Sequence, residues 1–144
     1  MTKKKFLDTN LKNKSKTVEN NIQFFDYEGT KLPLPTEIEI SESGTCNRTC
    51  SFCPRSAPDF EDKKEFITNE LHEKLCIELQ KLNYRGTIRY SGFVEPLLDK
   101  NIFNLIVMIR NFLPDSNIEM VTNGDPLNLK RLNKLFESGL NRVL

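Results

Sequence analysis

At 144 residues, 38% hydrophobic and 28% charged, the chain is long enough for one packed core and has no apolar stretch approaching a transmembrane span. Lysine and arginine number 21 against 20 acids, a formal charge of +1, so no general attraction to nucleic acid or to an anionic membrane is expected. The basic N-terminus, MTKKKFLDTNLKNKSK, lacks the apolar core of a secretory signal, which points to a cytoplasmic protein whose four cysteines are reduced.

Residues 1–21 are rich in Lys, Asn, Thr and Ser with little periodicity and read as a mobile basic arm. A lead-in follows, FFDYEGTKLPLP, punctuated by its prolines, so residues 1–35 stand apart from an ordered domain over 36–144. TEIEIS then alternates apolar and polar residues and predicts a first strand, with a cysteine-rich loop directly after it. Residues 54–67 carry prolines and charges without a period and read as a long loop at the same strand end. Thr68 is a candidate cap for a helix through Asn83, with Leu71, Leu75, Leu79 and Leu82 on one face. His72 is expected on its solvent side and Cys76 as a small buried hydrophobe. GTIRYSG predicts a second strand. A helix from about Asp99 to Leu113 has Ile102, Leu105, Ile106, Ile109 and Leu113 on its main stripe and further apolar residues almost all round. NIEMVT predicts a third strand, NLKRLNKLFESG a helix ending near Gly139, and NRVL a strand just begun.

Strand and helix alternate throughout, the signature of parallel βαβ units. In such a fold the cysteines, SGFVEP and TNG each follow a strand and gather at one end of the sheet, where barrel active sites are built. Ile38, Ile40, Ile88, Tyr90, Ile118 and Met120 would face the helices. Glu37, Glu39, Arg89 and Glu119 would then point inward, so the acids are expected to pair with Arg89, with Arg142 as a second candidate.

Cys46, Cys50 and Cys53 form a C-x-x-x-C-x-x-C cluster. Four thiolates close the coordination of a structural zinc or an ordinary cubane, whereas three leave one metal position open for chemistry. The rival is a zinc-binding structural or interaction module, completed by His72 or Cys76 reaching back from the following helix.

With CNRTCSFC, SGFVEPLL and VTNG in this order, the sequence resembles the radical S-adenosylmethionine (radical SAM) superfamily. The resemblance implies an α/β fold, a partial six-unit TIM-like barrel. It implies that Cys46, Cys50 and Cys53 hold a 4Fe-4S cluster whose fourth iron is chelated by S-adenosylmethionine. It further implies reductive cleavage of that cofactor to a 5′-deoxyadenosyl radical, which takes hydrogen from a small-molecule or peptide substrate, with a one-electron donor such as flavodoxin or ferredoxin. Phe52 matches an aromatic position near the adenine; packing on the core is its alternative. Gly92, Phe93 and Glu95 match the Gly-Glu-Pro element that recognises the methionine amine, although Val94 stands where glycine is usual. Glu95 is alternatively a helix-entry acid. Asn123 belongs to the TNG that ends the third strand, a sequence that also favours turns for structural reasons alone. The motifs look most like members with a C-terminal auxiliary-cluster (SPASM-like) domain.

An eight-unit barrel of about 250 residues uses about 31 per unit, so residues 36–144 accommodate about three and a half units. The chain therefore reads as the N-terminal part of a larger enzyme, through truncation, a split gene or a degenerate, inactive copy.

Overall fold

A computed structural model describes residues 22–144; the arm expected over residues 1–21 lies outside the described residues. The chain divides into two units, one ending at Thr36 and the other running from Glu37 to Leu144. The described part of the first is an antiparallel hairpin, β1 (Phe24–Tyr27) with β2 (Thr30–Pro33), formed within the proline-punctuated lead-in. Its two-residue turn places Glu28 and Gly29 at φ 51° and 81°, the left-handed geometry that matches strand twist. Asp26 Oδ1 accepts the Gly29 amide at 2.9 Å and closes the turn.

The second unit is a four-stranded, all-parallel sheet in the order β3 (Glu37–Ile40), β4 (Thr87–Tyr90), β5 (Asn117–Met120) and β6 (Arg142–Val143). Helices α1 (Asn69–Lys81), α2 (Ile102–Phe112) and α3 (Leu129–Glu137) connect successive strands. All four expected strands and all three helices are present. The arrangement has the parallel βαβ units that the alternation implied and is the partial TIM-like barrel that the resemblance implied.

Thr68 caps α1 by accepting the Leu71 amide at 3.2 Å, but of the leucine stripe only Leu79 is buried. Leu71 is 57% exposed, while His72, Cys76 and Leu79 are buried. The helix is rotated by about one position because His72, expected in solvent, finds a partner inside: its Nε2 lies 2.8 Å from the Tyr90 hydroxyl and its Nδ1 3.3 Å from Met108 Sδ. Cys76 is fully buried, as a small hydrophobe should be. On α2 the stripe Ile102, Leu105, Ile106 and Ile109 is completely buried, yet Val107 is 41% exposed, so burial does not follow the apolar residues all round. The helix starts at Ile102 and not at Asp99, because Pro96–Leu98 form a separate 3-10 turn and the Asp99 side chain accepts the Asn101 amide at 2.8 Å. Gly139, at φ 105°, ends α3 region as the usual left-handed stop.

Ile88, Tyr90, Ile118 and Met120 are fully buried, and the intervening side chains form a charged row. In register, Glu39 lies opposite Arg89, Arg89 opposite Glu119 and Glu119 opposite Arg142. Arg89 donates to Glu37 Oε1 at 2.6 Å and to Glu119 Oε2 at 2.8 Å, and Arg142 lies 3.6 Å from Glu119 Oε1. The hydrogen bond from Arg89 holds the Glu119 carboxyl below its ordinary range. The pairing expected of the inward acids is thus realised for Glu37 and Glu119.

Just past β3, Glu42 is fully buried; its Oε1 accepts from Ser43 Oγ at 3.2 Å, and its Oε2 has no protein partner. Burial pushes its carboxyl from 4.5 up to about 7, and burial pushes the His72 imidazole from 6.5 down to about 4. The signs oppose. Stability contributed by neutral Glu42 is complete below pH 4.5 and is lost as pH rises through 7, whereas that of neutral His72 is complete above pH 6.5 and is lost as pH falls through 4. Each amounts to about 3 kcal/mol, so the two nearly cancel across the interval they share.

Glu42→Gln should unmask the histidine: urea unfolding at a series of pH values is expected to show stability climbing by about 3 kcal/mol between pH 4 and 6.5, and a flat profile would refute the assignment. Arg89→Met, which strands Glu119, should cost on the order of 3 kcal/mol in the same assay, and adding Glu119→Gln should restore much of it.

Candidate active site

The loop after β3 carries the cysteines and is shaped by local bonds. The Cys53 amide donates to Cys50 O at 2.9 Å, and Cys53 then leads into a 3-10 turn, Pro54–Ser56, with proline at its favoured first position. Arg55, which sequence reasoning did not single out, anchors the loop. Its side chain is buried, donates through Nη1 to Phe93 O at 3.0 Å and to Gly44 O at 3.3 Å, pairs with Asp62, and lies 4.9 Å from the centre of the Phe60 ring. The return of the long loop is fixed by the Gly44 amide on Glu65 O at 2.9 Å and the Ile67 amide on Glu42 O at 2.7 Å.

From β4, Glu95 reaches across to the loop after β5. Its carboxylate is 1% exposed and accepts three donors: the Leu97 amide at 3.0 Å, Thr122 Oγ1 at 2.6 Å and the Asn123 amide at 2.7 Å. The Glu95 amide meanwhile donates to Thr45 O at 3.0 Å, so the ends of β3, β4 and β5 are joined through one residue. Glu95 is therefore a helix-entry acid, since it caps the 3-10 turn, and also a bridge. Gly92 is required by space as well as by its φ of 111°, because a Cβ there would lie 2.1 Å from Ser41 Oγ.

These loops enclose a cavity of about 210 Å³, whose wall includes Cys46, Cys50, Cys53, Phe52, Gly92, Glu95, Thr122 and Asn123. Phe52 is 88% exposed and does not pack on the core. Phe93 is the exception among the residues taken from the sequence motifs: its ring is exposed and outside this wall, and its carbonyl is spent on Arg55. Asn123 is a true wall residue, with Nδ2 2.8 Å from Asn47 Oδ1 and 3.9 Å from Cys46 Sγ. Arg48, Arg55 and Asp125 are not marked as site residues by the sequence motifs, whereas Thr122 enters with its TNG neighbours. The basic residue after the third cysteine, CPR, was a visible signal for Arg55; nothing local marked Asp125.

Among the described residues, no three His, Cys, Asp or Glu side chains already converge as they would around a single ion. The donors on the cavity wall are three free thiols, the ligand type that iron–sulfur clusters take, so the residues present fit such a group. His72 and Cys76 do not join them: both are buried outside this wall, with the His72 nitrogens facing Tyr90 and Met108 and Cys76 Sγ 3.8 Å from His72 Nδ1. That removes the two residues on which a zinc module depended.

The profile of the Radical SAM superfamily matches residues 40–144. The chain belongs to the Radical SAM superfamily. Proteins of this superfamily use a 4Fe-4S cluster and S-adenosylmethionine. The chain is 34% identical over 107 residues to an S-adenosyl-L-methionine-dependent 2-deoxy-scyllo-inosamine dehydrogenase of Niallia circulans, covering 74% of this chain and 42% of that protein. It is 33% identical over 109 residues to a probable GTP 3',8-cyclase of Thermococcus kodakarensis, covering 75% and 33%. Among solved structures, BtrN in complex with AdoMet and 2-DOIA superposes with a TM-score of 0.72 at 33% identity, over 76% of this chain and 44% of that one. The chain thus spans less than half the length of these relatives. Among the described residues, no helix is long and apolar enough to cross a membrane.

Gly92→Ala should destabilise the protein by about 2–4 kcal/mol through overpacking and backbone strain. Adding Ser41→Ala removes the clashing oxygen and should recover part of this, leaving a residual of about 1–2 kcal/mol from the left-handed backbone, read by thermal or urea unfolding.

Proposed function

We propose that this chain provides the cluster-binding part of a radical SAM enzyme, with Cys46, Cys50 and Cys53 as the ligands of a 4Fe-4S cluster. One observation carries the reading: all three thiols line the same cavity as Glu95 and Asn123, at the carboxyl ends of three parallel strands. The chemistry the two cofactors supply when bound is one-electron cleavage of a carbon–sulfur bond of S-adenosylmethionine, giving a 5′-deoxyadenosyl radical for hydrogen abstraction from substrate.

The protein's own residues bind and orient. Glu95 lies on the cavity wall, its carboxylate held by three donors, and supplies there the negative charge suited to a cationic amine. Gly92 brings backbone close to the cavity without a side chain, and Phe52 offers an exposed ring on which a planar base could stack. Phe93 has a different part, holding Arg55 through its carbonyl beneath the loop. A small-molecule substrate is supported by the relative crystallised with 2-DOIA, and a one-electron donor such as flavodoxin or ferredoxin is the partner the chemistry requires.

Anaerobic reconstitution with iron and sulfide is expected to give a broad visible absorbance that dithionite bleaches and a cubane signal in the paramagnetic resonance spectrum. S-adenosylmethionine should perturb that signal. Alanine at Cys46, Cys50 or Cys53 should abolish the four-iron species, whereas Cys76→Ala should retain it; tightly bound zinc without iron would overturn the reading.

A further inference from the structure

The tip of the cysteine loop is tied to the loop after β5 by a set of bonds separate from the Glu95 bridge. Asp125 Oδ2 accepts from Arg48 Nε at 2.8 Å and from Asn47 Nδ2 at 2.9 Å, while Arg48 Nη2 reaches Asp125 Oδ1, making the pair bidentate. The Asp125 amide in turn donates to Asn123 Oδ1 at 3.0 Å, and Asn123 Nδ2 donates to Asn47 Oδ1 at 2.8 Å. The ring of bonds therefore closes on the two residues that follow Cys46, Asn47 and Arg48. Two N–H groups end up facing the Cys46 sulfur: the Arg48 amide at 3.5 Å and Asn123 Nδ2 at 3.9 Å.

We propose that Arg48 and Asp125 are positioning residues that clasp the cysteine loop to the β5 loop, aiming these N–H groups at the Cys46 sulfur and thereby setting the reduction potential of the cluster. The inference rests on the reading of Cys46 as a cluster ligand. Hydrogen bonds to a ligating sulfur stabilise the negative charge added on reduction, so they raise the potential; without them the cluster is harder to reduce. A bidentate guanidinium–carboxylate pair fixes direction as well as distance, which a lysine ammonium at position 48 could not do. Both side chains are about half exposed, so the pair contributes orientation and little to global stability.

The test compares wild type with Asp125→Ala, Asp125→Glu and Arg48→Lys in two measurements. Potentiometric titration of the reconstituted protein, followed by paramagnetic resonance, should show a more negative midpoint and altered g-values in Asp125→Ala, partial recovery in Asp125→Glu, and an intermediate shift in Arg48→Lys. Hydrogen exchange of the metal-free protein should show several-fold faster exchange over residues 46–53 in Asp125→Ala with the sheet amides unchanged. This second measurement needs no cluster, so it decides even for a variant that takes none up. Wild-type protein that assembles no cubane would refute the functional reading itself. A wild-type cubane with unchanged midpoint and unchanged exchange in Asp125→Ala would overturn the clasp alone, as would Arg48→Lys indistinguishable from wild type in both.

Discussion

The Glu95 carboxylate is the constraint on which the site depends. A buried carboxylate is costly unless donors replace water, and here three of them do, drawn from its own 3-10 turn and from the loop after β5. Its backbone amide adds a bond to the loop after β3. Glu42 makes the contrast: equally buried, it receives one long bond from Ser43, keeps an oxygen without a partner, and is pushed up to about 7. Two glutamates at neighbouring strand ends thus have different work, and the number of donors each meets decides which one can hold the loops together.

Beneath the loops, the row Glu37, Arg89, Glu119 and Arg142 makes the inward face of the sheet polar while the opposite face is closed by isoleucines. Strict alternation couples these two facts. A slip of one residue would send Ile88 and Ile118 inward and push Arg89 and Glu119 against α2, so the charges help fix register as well as line the interior. Register in turn fixes where each strand ends, and with it the level at which Glu95, the cysteines and Asn123 meet.

Periodicity made the strands, the helices and that charged row legible in the sequence, because each is a pattern over many residues. The stripe of α1 was misjudged for a reason of the same kind: 71, 75, 79 and 82 fit a helical face as well as 72, 76 and 79 do, and only the distant hydroxyl of Tyr90 makes His72 the buried member. Asp125 was hidden because its partner Arg48 lies 77 residues away, and the carbonyl that gives the visible Arg55 its role, that of Phe93, lies 38 away. Phe93 was misplaced through its motif neighbours: position in G-x-x-E-P speaks for backbone, not for where a ring points. The turn of the β1–β2 hairpin rests on a Glu-Gly pair, a weaker signal than the two prolines nearby.

A loop from Ser41 to Ile67 is long for a compact fold and would leave its thiols scattered unless held at more than one point. Arg55 holds its base from beneath, with its side chain buried against Gly44, Phe93 and Asp62. Arg48 ties its tip to Asp125, and the Ser43–Phe66 bridge ties its return to the strand end. Between Arg48 and Arg55 lies a stretch that faces the cavity with two partly exposed thiols, Cys50 and Cys53, and the ring of Phe52. On the proposed reading of the cysteines as cluster ligands the loop needs this division, because sulfur atoms must be near their final places before such a group arrives, yet still be able to shift as it binds. Rigidity supplied by two arginines on either side of Cys50 and Cys53, and not by apolar packing, satisfies both demands.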